Sequence, residues 1–415
     1  MKINKNLSIL LSGQLVSQVG DKFYMLALSY WVLETTGSPT MMGVVLSCAL
    51  FPSLILGFVS GAYIDKYDRK TIIVGADLIR GIVISGVATA YLMDVLTMPV
   101  IIVSQTLLSI SAAFFDPAIP SVIPQIVEND QLTKANSKTQ FISGFSSIAG
   151  PVLGGMAVAG FGYSFIFIFN ALSFFISGFF EMFLKIPKIV RKDKKETTIK
   201  QDIIQGYKYI LFDKRLIIII AMVAVIHFFV GSIEVIIPVF AVSLKGNGAQ
   251  NLGYIQASFG LGAVLMAFVI SIISINRKEV KLLFTAIFAV GLIFLGVAGF
   301  SMAGFNVVVP FLFIFLFLGS LIILAGTSFK SILQKNVDNE IAGRVFSVVS
   351  SVGNGSIPLA MLIYGILLTY FSFNKLLMVT GFILLPLSLY CYRIYKGVNN
   401  AGYSKNRASA NRYEN

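Results

Sequence analysis

Three ionisable side chains stand inside long apolar runs of this sequence, and they are where chemistry could happen. Asp21 sits in SQVGDKF and Glu234 in FFVGSIEVIIP. His227 precedes Glu234 by two helical turns, so both project to roughly the same side of one helix. Charge away from water is costly, and groups that carry it there are usually functional. A carboxylate at Asp21 could take up a proton and exchange it for a cationic substrate; the plainer alternative is a local pair with Lys22. Glu234 reads as a second proton or cation site, and His227 either as a third or as a satisfied interior histidine. Gln105 and Asn170 could add polarity to a pocket, while the 36 phenylalanines supply apolar wall. A second charged set lies in GAYIDKYDRKTIIVGADLIRG at 61–81. Asp77 and Arg80 are spaced to pair along one helix.

Other chemistry is missing from the sequence. One histidine and two distant cysteines, Cys48 and Cys391, give no metal cluster and no disulfide framework. Both cysteines read as small buried hydrophobes. No glycine is followed by lysine, so the GxxxxGK[ST] phosphate loop cannot occur. The expectation is a chain that is not an enzyme and needs no cofactor and no metal.

The elements that must position these groups follow from composition. The chain is 56% hydrophobic and 12% charged, with mean hydropathy +0.85. A soluble domain carries about 25% charged residues; this chain has too little polar surface to coat itself, and its solvent is a lipid bilayer. Twelve apolar runs are long enough to cross it: 8–33, 40–63, 71–93, 98–117, 138–160, 163–184, 215–243, 251–274, 281–302, 306–328, 345–370 and 373–395. The first reads as a retained signal-anchor helix rather than a cleaved leader. Charged connections alternate with nearly uncharged ones. If the N-terminus is cytoplasmic, all of the 32 basic residues except Lys22, Lys245 and Lys375 fall on the cytoplasmic side, as the positive-inside rule requires. Both termini are then cytoplasmic, and the net charge of +13 reflects topology and calls for no nucleic-acid partner.

The sequence predicts an all-α integral membrane fold of twelve transmembrane helices in two six-helix pseudo-repeats. Residues 1–185 form one bundle and 215–396 the other. A cytoplasmic loop at 186–214 joins them, with a short amphipathic helix expected near 200–212, and 397–415 is a polar tail. The repeat shows in the connections: DRK at 68–70 against NRK at 276–278, and IPQIVENDQL at 123–132 against ILQKNVDNEI at 332–341. Parallel repeats suit a transporter that rocks about a central site.

The segment GAYIDKYDRK resembles motif A of the major facilitator superfamily. Gly61, Asp65, Lys66, Arg69 and Lys70 match it, and Asp68 replaces its second glycine. Gly61 allows close helix approach. Asp65 would face the positively charged start of the eleventh helix near Arg344, and the resemblance makes that contact a latch of the cytoplasmic gate. Asp77 and Arg80 extend the same network. GFSSIAGPVLGG at 144–155 resembles the superfamily's antiporter motif C, with Gly144, Gly150, Pro151, Gly154 and Gly155 in register; GLG at 260–262 is a candidate partner surface. Motif B's arginine is missing from the fourth run, where Gln105 is the main polar residue. Asp116, before Pro117, reads as a helix-end or gate residue. FFDPAIPSVIPQIVENDQLTKANS (114–137) and DNEIAGRVFS (338–347) are similar to the macrolide-efflux branch of drug:proton antiporters.

The resemblance implies a multi-pass protein of a bacterial plasma membrane, expected to act as a monomer by alternating access. It would export lipophilic compounds of the macrolide or multidrug type against protons. An exporter or flippase of a native amphiphile, such as a siderophore or lysolipid, shares the architecture. A receptor that transports nothing is the reading from another class; the buried carboxylates and the gate motif argue against it.

Overall fold

A computed structural model describes residues 5–128, 131–186, 214–273, 278–337 and 342–410. Its elements are α1 (Lys5–Thr36), α2 (Pro39–Cys48), α3 (Phe51–Lys66), α4 (Arg69–Leu92), α5 (Met98–Ile126), α6 (Leu132–Met182), α7 (Lys214–Ser243), α8 (Gly248–Ile272), α9 (Glu279–Met302), α10 (Val308–Asn336), α11 (Ala342–Tyr370) and α12 (Phe373–Ala410). The described residues are almost entirely helical, and ten segments among them are long and apolar enough to cross a membrane. The amphipathic helix expected at 200–212 lies outside the described residues.

Several boundaries differ from the sequence reading. The run at 40–63 is broken between α2 and α3. Pro52 is at the start of α3; it has no N–H to give and crowds the carbonyl four residues back, so the helix restarts there. The run at 98–117 continues to Ile126 through Pro117, Pro120 and Pro124, because membrane helices tolerate proline where neighbours satisfy the freed carbonyls. Asp116 is therefore in a helix interior, not at a helix end. The turn read at 161–164 falls inside α6, whose backbone breaks at Gly162, φ +75°, a conformation that costs glycine alone little. The last helix runs past the apolar segment to Ala410. Cys48 and Cys391 are free and half-buried rather than buried.

The same pairs of helices pack in each half. α4 packs on α5 and on α6, as α9 packs on α10 and α12; α3 packs on α5, as α8 packs on α10. Two crossings join the halves, α2 with α11 and α6 with α8. Each is a bare-backbone contact. A Cβ on Gly43 would stand 2.4 Å from the Met361 carbonyl oxygen and 3.1 Å from Gly365 Cα. A Cβ on Gly253 would stand 2.8 Å from the Pro151 carbonyl oxygen and 3.2 Å from Gly155 Cα. Gly253 lies 210 residues after Gly43, and Gly365 210 after Gly155. Ser47 adds a hydrogen bond of 2.8 Å to the Pro358 carbonyl, and Thr40 one of 2.7 Å to the Thr369 hydroxyl. Both crossings lie toward the end where α2 begins and α11 finishes. At the opposite end, α3 and α11 touch only marginally.

Candidate functional site

The site is built from α1 outward. Gly20 lets α1 settle on the second arm of α6: a Cβ there would meet Ser173 Oγ at 2.3 Å and Asn170 Oδ1 at 2.8 Å. This close approach sets Asp21 beside Asn170, whose Nδ2 is buried without a hydrogen-bond partner. Gly150 does the same on the other face of α1, where a Cβ would lie 2.3 Å from Lys22 Cβ. Gly154 packs on Phe23 and Gly155 on α8. Motif C is thus the surface on which α1 and α8 both rest. Gly144 is looser, with Val264 at 3.8 Å. Of the GLG expected as its partner, Gly260 faces Ile148 but Gly262 turns away to Leu316 of α10; the tightest partner is Gly253.

Lys22 is exposed although it lies mid-helix, and so is Glu234 on α7. The two are within electrostatic range of each other across the two halves. Asp21 feels Lys22, Arg80 and Asp116. The Asp116 side chain is 74% exposed, so this group of charges borders an opening into the bundle rather than a packed core. Arg80 stands behind it, 7% exposed, with Nη2 3.9 Å from Asp116 Oδ1 and Nη1 3.5 Å from Asp77 Oδ1. Its guanidinium lies over Phe115 at 4.4 Å and faces Phe174 at 5.6 Å, a cation–π setting that stabilises charge away from water.

Other candidates take different places. His227 holds the Val223 carbonyl at 2.9 Å through Nδ1 and packs against Gly353. Gln105 is buried and its Nε2 donates to the Tyr24 hydroxyl at 2.6 Å; it and Asn170 back the opening rather than line it. In motif A, Arg69 donates to the Ser121 carbonyl at 2.7 Å and ties α4 to α5. Asp68 caps α4, accepting from the Thr71 N–H at 3.1 Å and its hydroxyl at 2.8 Å. With φ −65°, that position has no need of the glycine it replaces. Gly61, Asp65 and Lys66 lie in the last turns of α3, with side-chain surroundings outside the described structure. Lys70 is half-buried. No cluster of three potential metal ligands occurs among the described residues.

A model of the Major Facilitator Superfamily matches residues 10–361. The chain belongs to this superfamily. It is accordingly a transporter, not an enzyme, and a multi-pass protein of a bacterial plasma membrane. It is 22% identical to Macrolide efflux protein A of Streptococcus pyogenes, over 92% of this chain and 93% of that one. It is 24% identical to the Staphyloferrin A transporter of Staphylococcus aureus, over 93% and 94%. Its fold is similar to that of the nucleoside transporter NupG, with a TM-score of 0.76 at 14% identity, covering 95% of this chain and all of that one.

One ionisable residue escapes the sequence reading. Glu181 is fully buried near the end of α6, and Asp77 and Arg80 are its charged neighbours. It carries the same signal as Asp21, a charge in an apolar run. It lies three residues from the end of the 163–184 run, where a charge is less conspicuous than at mid-span.

Proposed function

We propose that this transporter is a secondary active exporter of lipophilic or amphiphilic compounds, of the macrolide or multidrug type, driven by proton antiport through alternating access. One observation carries the reading: Lys22 of one half, next in sequence to Asp21, is within electrostatic range of Glu234 of the other, and both are exposed inside the bundle. A carboxylate on each side of a rocking interface can be neutralised in one state by a proton and in the other by a cationic cargo or by Lys22. Motif C supports export, since its glycines and Pro151 hold α1 against the α6–α8 contact.

The reading has a topology. We take the chain to cross twelve times with both termini cytoplasmic. The ten apolar segments gain one from α1, whose hydropathy is diluted by Asp21, Lys22 and their polar neighbours. They gain another because the 51 residues of α6 span about 75 Å, more than twice the hydrocarbon core of about 30 Å. With the basic connections inside, the two glycine crossings close the outer end and the conformation is open to the cytoplasm.

Everted vesicles with an imposed pH gradient test the reading, with a macrolide and a lipophilic dye as probes. Wild type should accumulate both and Asp21→Asn should not. Equal uptake by the two would remove Asp21 from coupling. A folded, inserted protein that accumulates neither would favour the second reading, export of a native amphiphile such as a siderophore or lysolipid. The similarity to the Staphyloferrin A transporter supports that alternative.

A further inference from the structure

We propose that Glu181 and Asp77 form a buried two-carboxyl site that holds one proton, joined through Arg80 to the open cluster of Asp21 and Asp116. It goes beyond the export reading, because the proton is held whatever the cargo is.

The helices meet closely here. Gly178 of α6 would place a Cβ 3.5 Å from Asp77 Cβ of α4, and Ser177 and Glu181 flank that contact on the same helix. Asp77 and Glu181 are both 0% exposed. Neither Glu181 carboxyl oxygen has a hydrogen-bond partner, whereas Asp77 has the Ser177 hydroxyl and the Arg80 guanidinium beside it. The charge balance is one-sided. α4 contributes Asp77 and Arg80, α5 contributes Asp116, and α1 brings no ionisable side chain between Lys5 and Asp21. Glu181 itself is the only ionisable group on its arm of α6 apart from Tyr163. One guanidinium, 3.5 Å from Asp77 and 3.9 Å from Asp116, therefore serves every carboxyl in the set.

An ionised carboxylate with no partner is far too costly to keep in such a place, and the group neutralises instead. Two carboxyls near each other share this outcome: one is ionised and the other holds the proton. Asp77 has the guanidinium, so Glu181 keeps the proton. Arg80 sets the link. When Asp116 or Asp21 is neutralised by a proton or a cation, the guanidinium is free to stabilise both inner carboxyls, and the Glu181 proton can leave to water.

Infrared difference spectroscopy on the full chain in lipid nanodiscs, titrated in pH without any cargo, reads this site directly. Wild type at neutral pH should show a protonated-carboxyl stretch that Glu181→Gln removes and that Asp21→Asn, by freeing Arg80, causes to disappear at a lower pH than in wild type. An unchanged band in Glu181→Gln would overturn the proposal. Should that variant not fold, Asp77→Asn gives a second reading. Removing the neighbouring charge should move the pH at which the band disappears, and an unmoved titration would show that the two carboxyls share nothing. Neither outcome depends on uptake, so failure of the export reading leaves this test intact.

Discussion

Single residues here divide into those that hold helices and those that place charge beside the opening. Asp68 belongs to the first kind. Loss of an N-cap costs about 1 kcal/mol, and replacement by glycine only a few tenths. Asp68→Ala should therefore lower the thermal midpoint in detergent measurably, while Asp68→Gly, which restores the superfamily's usual residue, should stay near wild type. Equal losses in both would show that the Asp68–Thr71 contact is not what matters there. Glu234 belongs to the second kind. Glu234→Gln keeps shape and hydrogen bonding but deletes the charge that faces Lys22; gradient-driven uptake should fall at least tenfold with normal expression, and full uptake would exclude Glu234 from coupling. Asp21 and Glu234 were legible in the sequence because a charge amid apolar residues is conspicuous. The opening at Asp116 was not, since Pro117 made it resemble a helix end and only packing reveals that α5 continues. Nor could spacing show that Gln105 is already engaged by Tyr24.

Helices are placed by where side chains are missing. The two inter-half crossings depend on Gly43, Gly155, Gly253 and Gly365, and their spacing of 210 residues follows the same internal repeat as the matching charged connections. The sequence shows the repeat in those connections, where turn chemistry is constrained. It hides the repeat in the helices, where a glycine acquires meaning only from the backbone opposite. The break between α2 and α3 was hidden in a similar way, by a proline inside an unbroken apolar run. The crossings predict a graded response. At Gly253 an added methyl would lie 2.8 Å from the Pro151 carbonyl with backbone on both sides and nothing flexible to yield. Overpacking of this kind costs about 1–3 kcal/mol, so Gly253→Ala should lose thermal stability or shift toward the state in which α6 and α8 part. Gly144→Ala, with its nearest neighbour at 3.8 Å, should do neither. Equal behaviour of the two variants would show that motif C acts by something other than close approach.

The whole molecule is two helix bundles joined at one end and parted at the other. A transporter that alternates access must break one set of contacts to make the other, so the joined end has to open during each cycle. Thr40 and Thr369 offer a way to prevent it. Their hydroxyls are 2.7 Å apart across the α2–α11 crossing, close enough for a disulfide between cysteines at these positions, given suitable side-chain directions. With Cys48 and Cys391 replaced by serine, the Thr40→Cys/Thr369→Cys variant should transport when reduced. When oxidised it should stop, and reductant should restore it. Either single cysteine should be indifferent to oxidant, which separates a lock from chemical damage. If the bridge forms and transport continues, this end need not open, and the halves would move about some other contact. If transport stops, the crossings form a closed gate in this structure, and Asp21, Asp116 and Glu234 are reached from the opposite end. That end carries the start of α4, so Arg69 and Lys70 of motif A would stand at the open mouth.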